Sequence, residues 1–257
     1  MKQVVAPVIS NKEVTPGFYL MWLDSAEIAA TSKPGQFVMV GCGEDTLLHR
    51  PISVHQVDAG KIALLFAAVG KGTSWLSQCR AGDEIDLFGP LGNGFSIYSA
   101  SQNLLLVAGG IGIAPLRFLV DEALRKGCSV TLLLGAQTAA RLYPQGLLPP
   151  KIKLVAATDD GTAGQKGMIT DLIPKYIDSA DQIFACGPAG MYRAMAQMPE
   201  LRSKSVQVSL EVRMGCGRGI CYGCTVKTRQ GLKQVCQDGP VFDLDDIIWD
   251  KVSLTET

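Results

Sequence analysis

The sequence lacks three features that assign many chains to a broad class: an excess of charge, a long hydrophobic run and an internal repeat. Its 257 residues carry 24 basic and 24 acidic side chains, so no overall field attracts nucleic acid or an anionic membrane. The longest apolar stretch, residues 104–116, contains three glycines and a proline and precedes Arg117, which excludes a transmembrane helix there. We therefore expect a globular, cytoplasmic protein without nucleic-acid partners or integral membrane association.

Cysteine is plentiful, and four of the eight cysteines share a recognisable spacing in the last fifth of the chain. Four residues separate the first two, two separate the next pair, and eleven precede the last. This spacing is typical of a plant-type 2Fe-2S loop, and the interleaved glycines suit a backbone that wraps closely around cluster sulfurs. The predicted cluster ligands are Cys216, Cys221, Cys224 and Cys236.

Two other uses of these cysteines remain open from spacing alone. A zinc site normally has two pairs with two intervening residues each, and only Cys221 and Cys224 have that form. Disulfides are typical of secreted chains, whereas this chain shows no signal peptide and its other four cysteines lie far apart. The iron-sulfur interpretation therefore ranks first, followed by zinc and then disulfides.

The order of apolar runs and turn residues predicts an α+β multidomain protein. Residues 1–98 read as short strands separated by glycine and proline breakers, which indicates an antiparallel β-barrel. Residues 99–212 alternate buried strands with helices, which favours a parallel-sheet nucleotide domain. Residues 213–257 are too few for a complete ferredoxin, so we expect a small C-terminal 2Fe-2S lobe.

Two segments of the predicted barrel suit a flavin. The guanidinium of Arg50 can bind a pyrophosphate, and the hydroxyl of Ser53 can reach the edge of the isoalloxazine ring. Further on, a strand runs into a glycine-rich turn before a helix, where free N–H groups form a phosphate site. The first segment could instead be a strand end with a surface arginine, and the second could be an ordinary capped helix without a ligand. The predicted FAD-binding residues are Arg50, Pro51, Ile52, Ser53, Leu65, Phe66, Ala67, Gly72 and Thr73, with Thr73 or Ser74 as the helix cap.

Two further turns suit a nicotinamide dinucleotide. Each follows a buried strand and precedes a helix, and open parallel sheets bind ligands at such strand ends. A lone buried cysteine is more often structural, so the cysteine here is expected to pack against and polarise the nicotinamide rather than attack it. The predicted NAD-binding residues are Gly109, Gly110, Gly112, Pro115, Gly187 and Pro188, with Cys186 on the nicotinamide side. Residues 136–141 leave the choice between NAD and NADP open, since Arg141 could meet a 2′-phosphate.

The motifs Arg-Pro-Ile-Ser at 50–53, Gly-Lys-Gly-Thr at 70–73, Gly-Gly-Ile-Gly-Ile-Ala-Pro at 109–115 and Cys-Gly-Pro at 186–188 resemble the ferredoxin-NADP reductase superfamily. Residues 211–224 and 236–242 are similar to the electron-transfer subunits of class 1B dihydroorotate dehydrogenase. Gly215 and Arg218 depart from that family's usual small or apolar residues.

The resemblance implies a partner, an FMN-containing catalytic subunit that oxidises dihydroorotate in pyrimidine synthesis, with two copies of each subunit. Electrons would pass from that FMN through the 2Fe-2S cluster and FAD to NAD, which the family favours over NADP. A flavin is needed because nicotinamide exchanges two electrons and the cluster one. Two alternatives remain: a related FAD and 2Fe-2S reductase subunit of a sulfide, hydrogenase or oxygenase complex, and a non-catalytic metal-binding redox sensor.

Overall fold

The computed structural model describes residues 1–252. The first part of the chain forms the predicted antiparallel barrel, a closed barrel of six strands in the order β1-β2-β5-β4-β3-β6. Residues alternate between its interior and surface, so that Ile85, Leu87 and Leu91 of one strand are buried. The barrel strands are β1 (Lys2–Thr15), β2 (Phe18–Asp24), β3 (Phe37–Val40), β4 (Arg50–Asp58), β5 (Lys61–Ala67) and β6 (Glu84–Leu91). Two short helices, α1 (Ala26–Ala29) and α2 (Lys71–Gln78), lie between them in the chain.

The second part forms the predicted parallel sheet. Five strands of this sheet are joined to one another by parallel pairings, and the buried aliphatic run at residues 104–108 is typical of a parallel sheet that is covered on both faces. These strands are β7 (Asn103–Gly109), β8 (Ser129–Ala136), β9 (Lys153–Thr158), β11 (Gln182–Cys186) and β12 (Ser205–Ser209). A two-residue strand, β10 (Gln165–Lys166), lies at one edge, and the helices are α3 (Ile113–Arg125) and α4 (Ala189–Gln197).

The C-terminal segment is more closely joined to this sheet than a separate lobe would be. It contains a hairpin, β13 (Thr225–Thr228) with β14 (Gly231–Gln234), and then β15 (Val241–Asp243). Strand β15 pairs antiparallel with β12 and completes a seven-stranded sheet in the order β10-β9-β8-β7-β11-β12-β15. The domain limits at residues 98 and 212 stay predictions, and residues 253–257 of the predicted lobe lie outside the described part of the chain.

One hydrophobic core connects all three parts. The same cluster contains Phe37 from the barrel, Val107 from the parallel sheet, and Cys224 with Val235 from the C-terminal segment. Burial of these side chains stabilises the relative placement of the three parts, because separating them would expose apolar surface to water. Within residues 1–252, no helix combines the length and hydrophobicity that a membrane crossing requires.

Candidate functional site

A cleft of about 490 Å³ lies where the barrel, the start of α3 and the segment after β12 meet. Strands β4 and β5 form one wall, and Ile111 with Ala114 approach from the parallel-sheet side. Residues 209–214 close the cleft as the chain leaves β12. The predicted flavin residues on its wall are Arg50, Pro51, Ile52, Ser53, Leu65, Phe66, Ala67 and Thr73.

Gly72, the remaining predicted flavin residue, lies behind this wall and allows a close approach. A Cβ at this position would lie 3.2 Å from Nε of Arg50 and 3.0 Å from Cβ of Cys42. The absence of a side chain therefore lets the first turn of α2 lie directly against the arginine. The guanidinium also donates to the carbonyl oxygen of Leu48 at 2.5 Å, which holds it at the end of the cleft.

The N-cap of this helix lies earlier in the chain than predicted, although the Thr73 side chain still takes part in capping. Helix α2 begins at Lys71, so Gly70 is the N-cap residue and Thr73 already lies in the first turn. The Thr73 hydroxyl instead accepts hydrogen bonds from the N–H groups of Val69, at 3.1 Å, and Gly70, at 3.2 Å. These bonds fix the glycine turn at the start of α2.

The two predicted nicotinamide turns lie against each other. A Cβ on Gly112 would lie only 2.0 Å from the carbonyl oxygen of Cys186, and one on Gly109 would lie 2.8 Å from Cδ of Pro188. Gly110 has a φ of +54° and open space around its Cα, as a surface for a pyrophosphate requires. Pro115, in contrast, is buried within α3 and supports the turn from behind.

A buried polar network lies beneath the second turn. The Tyr192 hydroxyl accepts a hydrogen bond from the N–H of Gly187 at 3.0 Å and donates to the carbonyl oxygen of Ser209 at 2.6 Å. Cys186 is fully buried beside it, and burial raises the pKa of its thiol well above the ordinary value. A neutral thiol fits the predicted packing role and opposes a nucleophilic one.

Glu211 is a further residue of the cleft, although a carboxylate at a strand end is expected from sequence alone to be solvated. The structure places it on the cleft wall beyond the end of β12. Burial raises the pKa of its carboxyl to about 7. A group that changes charge near neutral pH therefore faces the space predicted for the flavin.

The four predicted cluster cysteines come together as two pairs. The N–H of Cys221 donates to Sγ of Cys216 at 3.5 Å, and the N–H of Cys236 donates to Sγ of Cys224 at 3.5 Å. In the described part of the chain, no three His, Cys, Asp or Glu side chains surround a single metal position. Two thiol pairs suit the two irons of a 2Fe-2S cluster, each of which takes two cysteine ligands.

Backbone N–H groups point at these sulfurs. Sγ of Cys216 accepts from the N–H of Arg218 at 3.3 Å, and Sγ of Cys236 accepts from that of Gly219 at 3.2 Å. Burial acts to raise the pKa of Cys216, but the N–H groups around its sulfur outweigh it and lower this pKa to about 6. Burial raises the pKa of Cys236 to about 12. The exposed side of the loop thus already favours a thiolate, which is the form that binds iron.

The cluster loop rests on the barrel next to the cleft. A Cβ on Gly217 would lie 2.7 Å from Cγ of Met39, and the guanidinium of Arg218 lies 4.1 Å from the centre of the Phe88 ring. Met214 lines the cleft and Cys216 follows two residues later. The predicted flavin and cluster sites are therefore adjacent, joined by a few residues of backbone.

The fold and cleft define a flavin- and nicotinamide-dependent reductase with an attached iron-sulfur segment. A family model described as the iron-sulfur cluster binding domain of dihydroorotate dehydrogenase B matches residues 211–248. A second, the oxidoreductase NAD-binding domain, matches residues 106–197. The electron transfer subunit of dihydroorotate dehydrogenase B (NAD(+)) from Desulforamulus reducens is 41% identical over 256 residues, covering 95% of this chain and 98% of that protein. The chain therefore belongs to the family of dihydroorotate dehydrogenase B electron transfer subunits.

Further comparisons agree with this assignment. The corresponding subunit from Geobacillus sp. is 38% identical and covers 96% of this chain and 99% of its own length. A solved NADH-dependent reduced ferredoxin-NADP oxidoreductase chain superposes with a TM-score of 0.88 at 30% identity, over 96% of this chain and 91% of that one. A ferredoxin NADP+ reductase from Neisseria gonorrhoeae, at 20% identity and a TM-score of 0.64, shares the fold over 77% of this chain and 90% of its own. The predicted family, fold class and cofactor set of FAD, NAD and a 2Fe-2S cluster are confirmed.

Proposed function

We propose that this chain carries electrons from a catalytic subunit that oxidises dihydroorotate to NAD+. The partner would hold FMN, and the complex would contain two copies of each subunit in the cytoplasm. The observation that carries the proposal is the continuity of residues 209–214, which line the cleft, with the first predicted cluster cysteine, Cys216, two residues further on. Relatives over nearly the whole chain are named as electron transfer subunits of dihydroorotate dehydrogenase B.

Each part of the site has a distinct task in this proposal. Arg50 and the turn before α2 bind the FAD pyrophosphate, while Pro51, Ile52, Ser53 and residues 65–67 hold the ring against β4 and β5. The flavin supplies the conversion between two-electron and one-electron transfer when bound. The turns at 109–112 and 186–188 position NAD, and Cys186 packs beneath the nicotinamide as a neutral thiol. Cys216, Cys221, Cys224 and Cys236 hold the cluster.

The chain's own groups also control protons and water at this site. Apolar side chains such as Phe37, Leu65 and Ile111 line the cleft and exclude water from around the ring. Glu211 can hold a proton at its carboxyl near neutral pH, and the Tyr192 hydroxyl keeps the Gly187 turn in place. These groups orient the two dinucleotides so that hydride transfer takes place in a protected space.

A second candidate follows from one specific observation. The chain that superposes with a TM-score of 0.88 comes from an NADH-dependent reduced ferredoxin-NADP oxidoreductase that performs flavin-based electron bifurcation. The same three cofactor sites would serve such a complex, with a different partner receiving or supplying the electrons. The choice between the two functions depends on the partner, because both need the same chemistry within this chain.

Co-expression with an FMN-binding dihydroorotate dehydrogenase subunit tests the proposal. We expect a stable complex that contains FAD, FMN and iron and that forms NADH when dihydroorotate and NAD+ are added. The control is the catalytic subunit alone, which should not reduce NAD+. A chain that forms no complex with that subunit, but instead reduces ferredoxin together with an NADP-binding partner, would establish the second candidate.

A further inference from the structure

A fully buried histidine joins three segments directly behind the cleft. His55 lies on β4, and its Nδ1 is 2.9 Å from the carbonyl oxygen of Ala114 in the first turn of α3. Its Nε2 is 2.9 Å from the hydroxyl oxygen of Tyr143, in the loop that follows β8. The imidazole therefore connects the barrel to two elements of the parallel-sheet part.

The chemistry of the partners determines the protonation of the ring. A carbonyl oxygen can only accept, so Nδ1 carries the proton and donates to Ala114. Nε2 is then the acceptor for the Tyr143 hydroxyl. Burial lowers the pKa of His55 to about 3 and raises that of Tyr143 to about 12, so the ring stays neutral and the phenol stays protonated. Both bonds therefore persist across the physiological pH range.

The position of these bonds connects the two cofactor sites. Ser53, two residues before His55 on the same strand, lines the cleft from the flavin side. Ala114 lines it from the opposite side, two residues after Gly112 of the nicotinamide turn. The bond from His55 to Ala114 thus spans from the flavin-side strand to the nicotinamide-side helix. Packing alone would not require it, since burying a polar ring costs free energy unless both nitrogens are bonded.

We propose that His55 is a positioning residue that fixes β4 relative to the start of α3 and thereby sets the separation of flavin and nicotinamide. This inference rests on the proposed FAD and NAD sites. Its bond to Ala114 is the decisive contact, because this hydrogen bond joins β4 directly to α3 and adds a fixed distance to the apolar packing between the two walls. The bond to Tyr143 holds the ring in the orientation that the first bond requires. A displacement of about 1 Å between reacting groups can slow a reaction roughly a hundredfold.

Two amide substitutions of His55 distinguish the bond to Ala114 from the bond to Tyr143. His55→Asn places an N–H near the position of Nδ1 and keeps the bond to Ala114, whereas His55→Gln places its amide near Nε2 and keeps the bond to Tyr143. We expect the Gln variant to reduce the rate of FAD reduction by NADH about tenfold or more, and the Asn variant by about threefold or less. The rate is measured by rapid mixing of the purified chain, with FAD and cluster in place, at saturating NADH. The charge-transfer absorbance between NADH and FAD should weaken in the Gln variant and remain in the Asn variant.

Tyr143→Phe, which removes only the second bond, should resemble His55→Asn. The other histidine of the chain, His49, is partly exposed and pairs with Asp86, so His49→Asn is the matched control with an expected normal rate. Equal rates and equal charge-transfer absorbance in the Asn and Gln variants would overturn the inference, because a merely structural histidine predicts similar effects for both. If the FAD bound to the parent chain is not reduced by NADH, the proposed function is wrong, whatever the His55 variants show.

Discussion

The cluster loop and the flavin cleft are built from very different lengths of chain. Three of the four predicted cluster cysteines lie within residues 216–224, and the N–H groups that approach their sulfurs come largely from the same stretch. The cleft draws its walls from segments between residues 37 and 240. The loop is therefore a local device that needs its own backbone conformation, whereas the cleft exists only when barrel and sheet are packed together. Changes in the two regions should have separable effects.

Cys224→Ala gives the largest expected effect and tests this separation. Cys224 is buried and pairs with Cys236, so its removal leaves one iron with one of its two cysteine ligands. We expect loss of the cluster and a decrease of about 100-fold or more in electron transfer to the partner. Reduction of bound FAD by NADH should stay within about twofold of the parent rate. Iron analysis, the electron paramagnetic resonance signal of the reduced cluster and rapid-mixing absorbance measure these quantities.

Cys79→Ala is the control for the cluster variant, because Cys79 is also buried but lies in the barrel core. Its cluster signal should be normal. A Cys224→Ala protein that loses the NADH reaction as completely as partner transfer would show that the loop is needed for folding of the cleft, and the two regions would then not be separable.

Gly112→Ala tests the contact between the nicotinamide turns. The new Cβ would lie 2.0 Å from the carbonyl oxygen of Cys186, so backbone must move on one side or the other. We expect a loss of about 3 kcal/mol or more in the free energy of unfolding and a strongly raised KM for NADH. Gly110→Ala is the matched control, since its Cβ meets no atom within 4 Å and only its φ of +54° is unfavourable, at about 1 kcal/mol. Urea unfolding and steady-state kinetics compare the two, and equal stability would contradict the tight contact.

Arg50→Ala tests the pyrophosphate end of the cleft. Loss of a charged hydrogen-bond donor to an anion costs about 1.5–3 kcal/mol, so we expect FAD to bind roughly tenfold to a hundredfold more weakly. Arg50→Lys keeps the charge but not the paired donors, so its affinity for FAD should lie between those of Arg50→Ala and the parent. Flavin content after dialysis and titration of the apoprotein with FAD give the affinities. Normal FAD retention in Arg50→Ala would remove Arg50 from the proposed site.

The local elements were predictable because each has a short-range cause. Glycine and proline breakers marked the barrel strands, and buried aliphatic runs such as residues 104–108 marked the parallel sheet. The start of α2 was predicted too late, because Gly70 can cap through its backbone conformation without a side chain. Strand β12 ends at Ser209, and the next N–H, that of Leu210, donates to the carbonyl oxygen of Pro240 at 2.9 Å, a contact that no local pattern indicates.

The contacts that sequence reasoning missed are long-range ones. The partners of His55 lie 59 and 88 residues further along the chain, and nothing around His55 on β4 indicates them. The pairing of β15 with β12 involves only three residues, too few for a periodic pattern. Glu211 looked like a solvated strand end because its burial depends on the barrel that packs against it. A local spacing thus suffices to predict four cluster ligands, which stay predictions, whereas the cleft can be predicted only in part because its walls come from distant segments.

Glu211→Gln gives the smallest expected effect and shows whether the cleft wall responds to pH as its burial requires. The pKa of Glu211 in the folded state is about 7, above the ordinary value of 4.5. Between pH 4.5 and pH 7 the folded state therefore holds a proton that the unfolded state has released. This contribution to stability is complete below pH 4.5 and is lost as pH rises through 7. Between pH 5 and pH 8 the parent apoprotein should therefore lose about 1–2 kcal/mol more than the Gln variant, allowing for partial solvation.

Urea unfolding of both apoproteins at several pH values measures this difference. Asp243→Asn is a useful control, because burial also raises the pKa of Asp243, but that side chain lies away from the flavin cleft. The effect of Asp243→Asn on stability should be the same with and without bound FAD, whereas bound FAD should change the pH dependence contributed by Glu211. If the free energy of unfolding changes with pH in the same way for the parent and Glu211→Gln, Glu211 is solvated. The cleft wall would then contribute no pH dependence to stability beyond that of an exposed carboxylate.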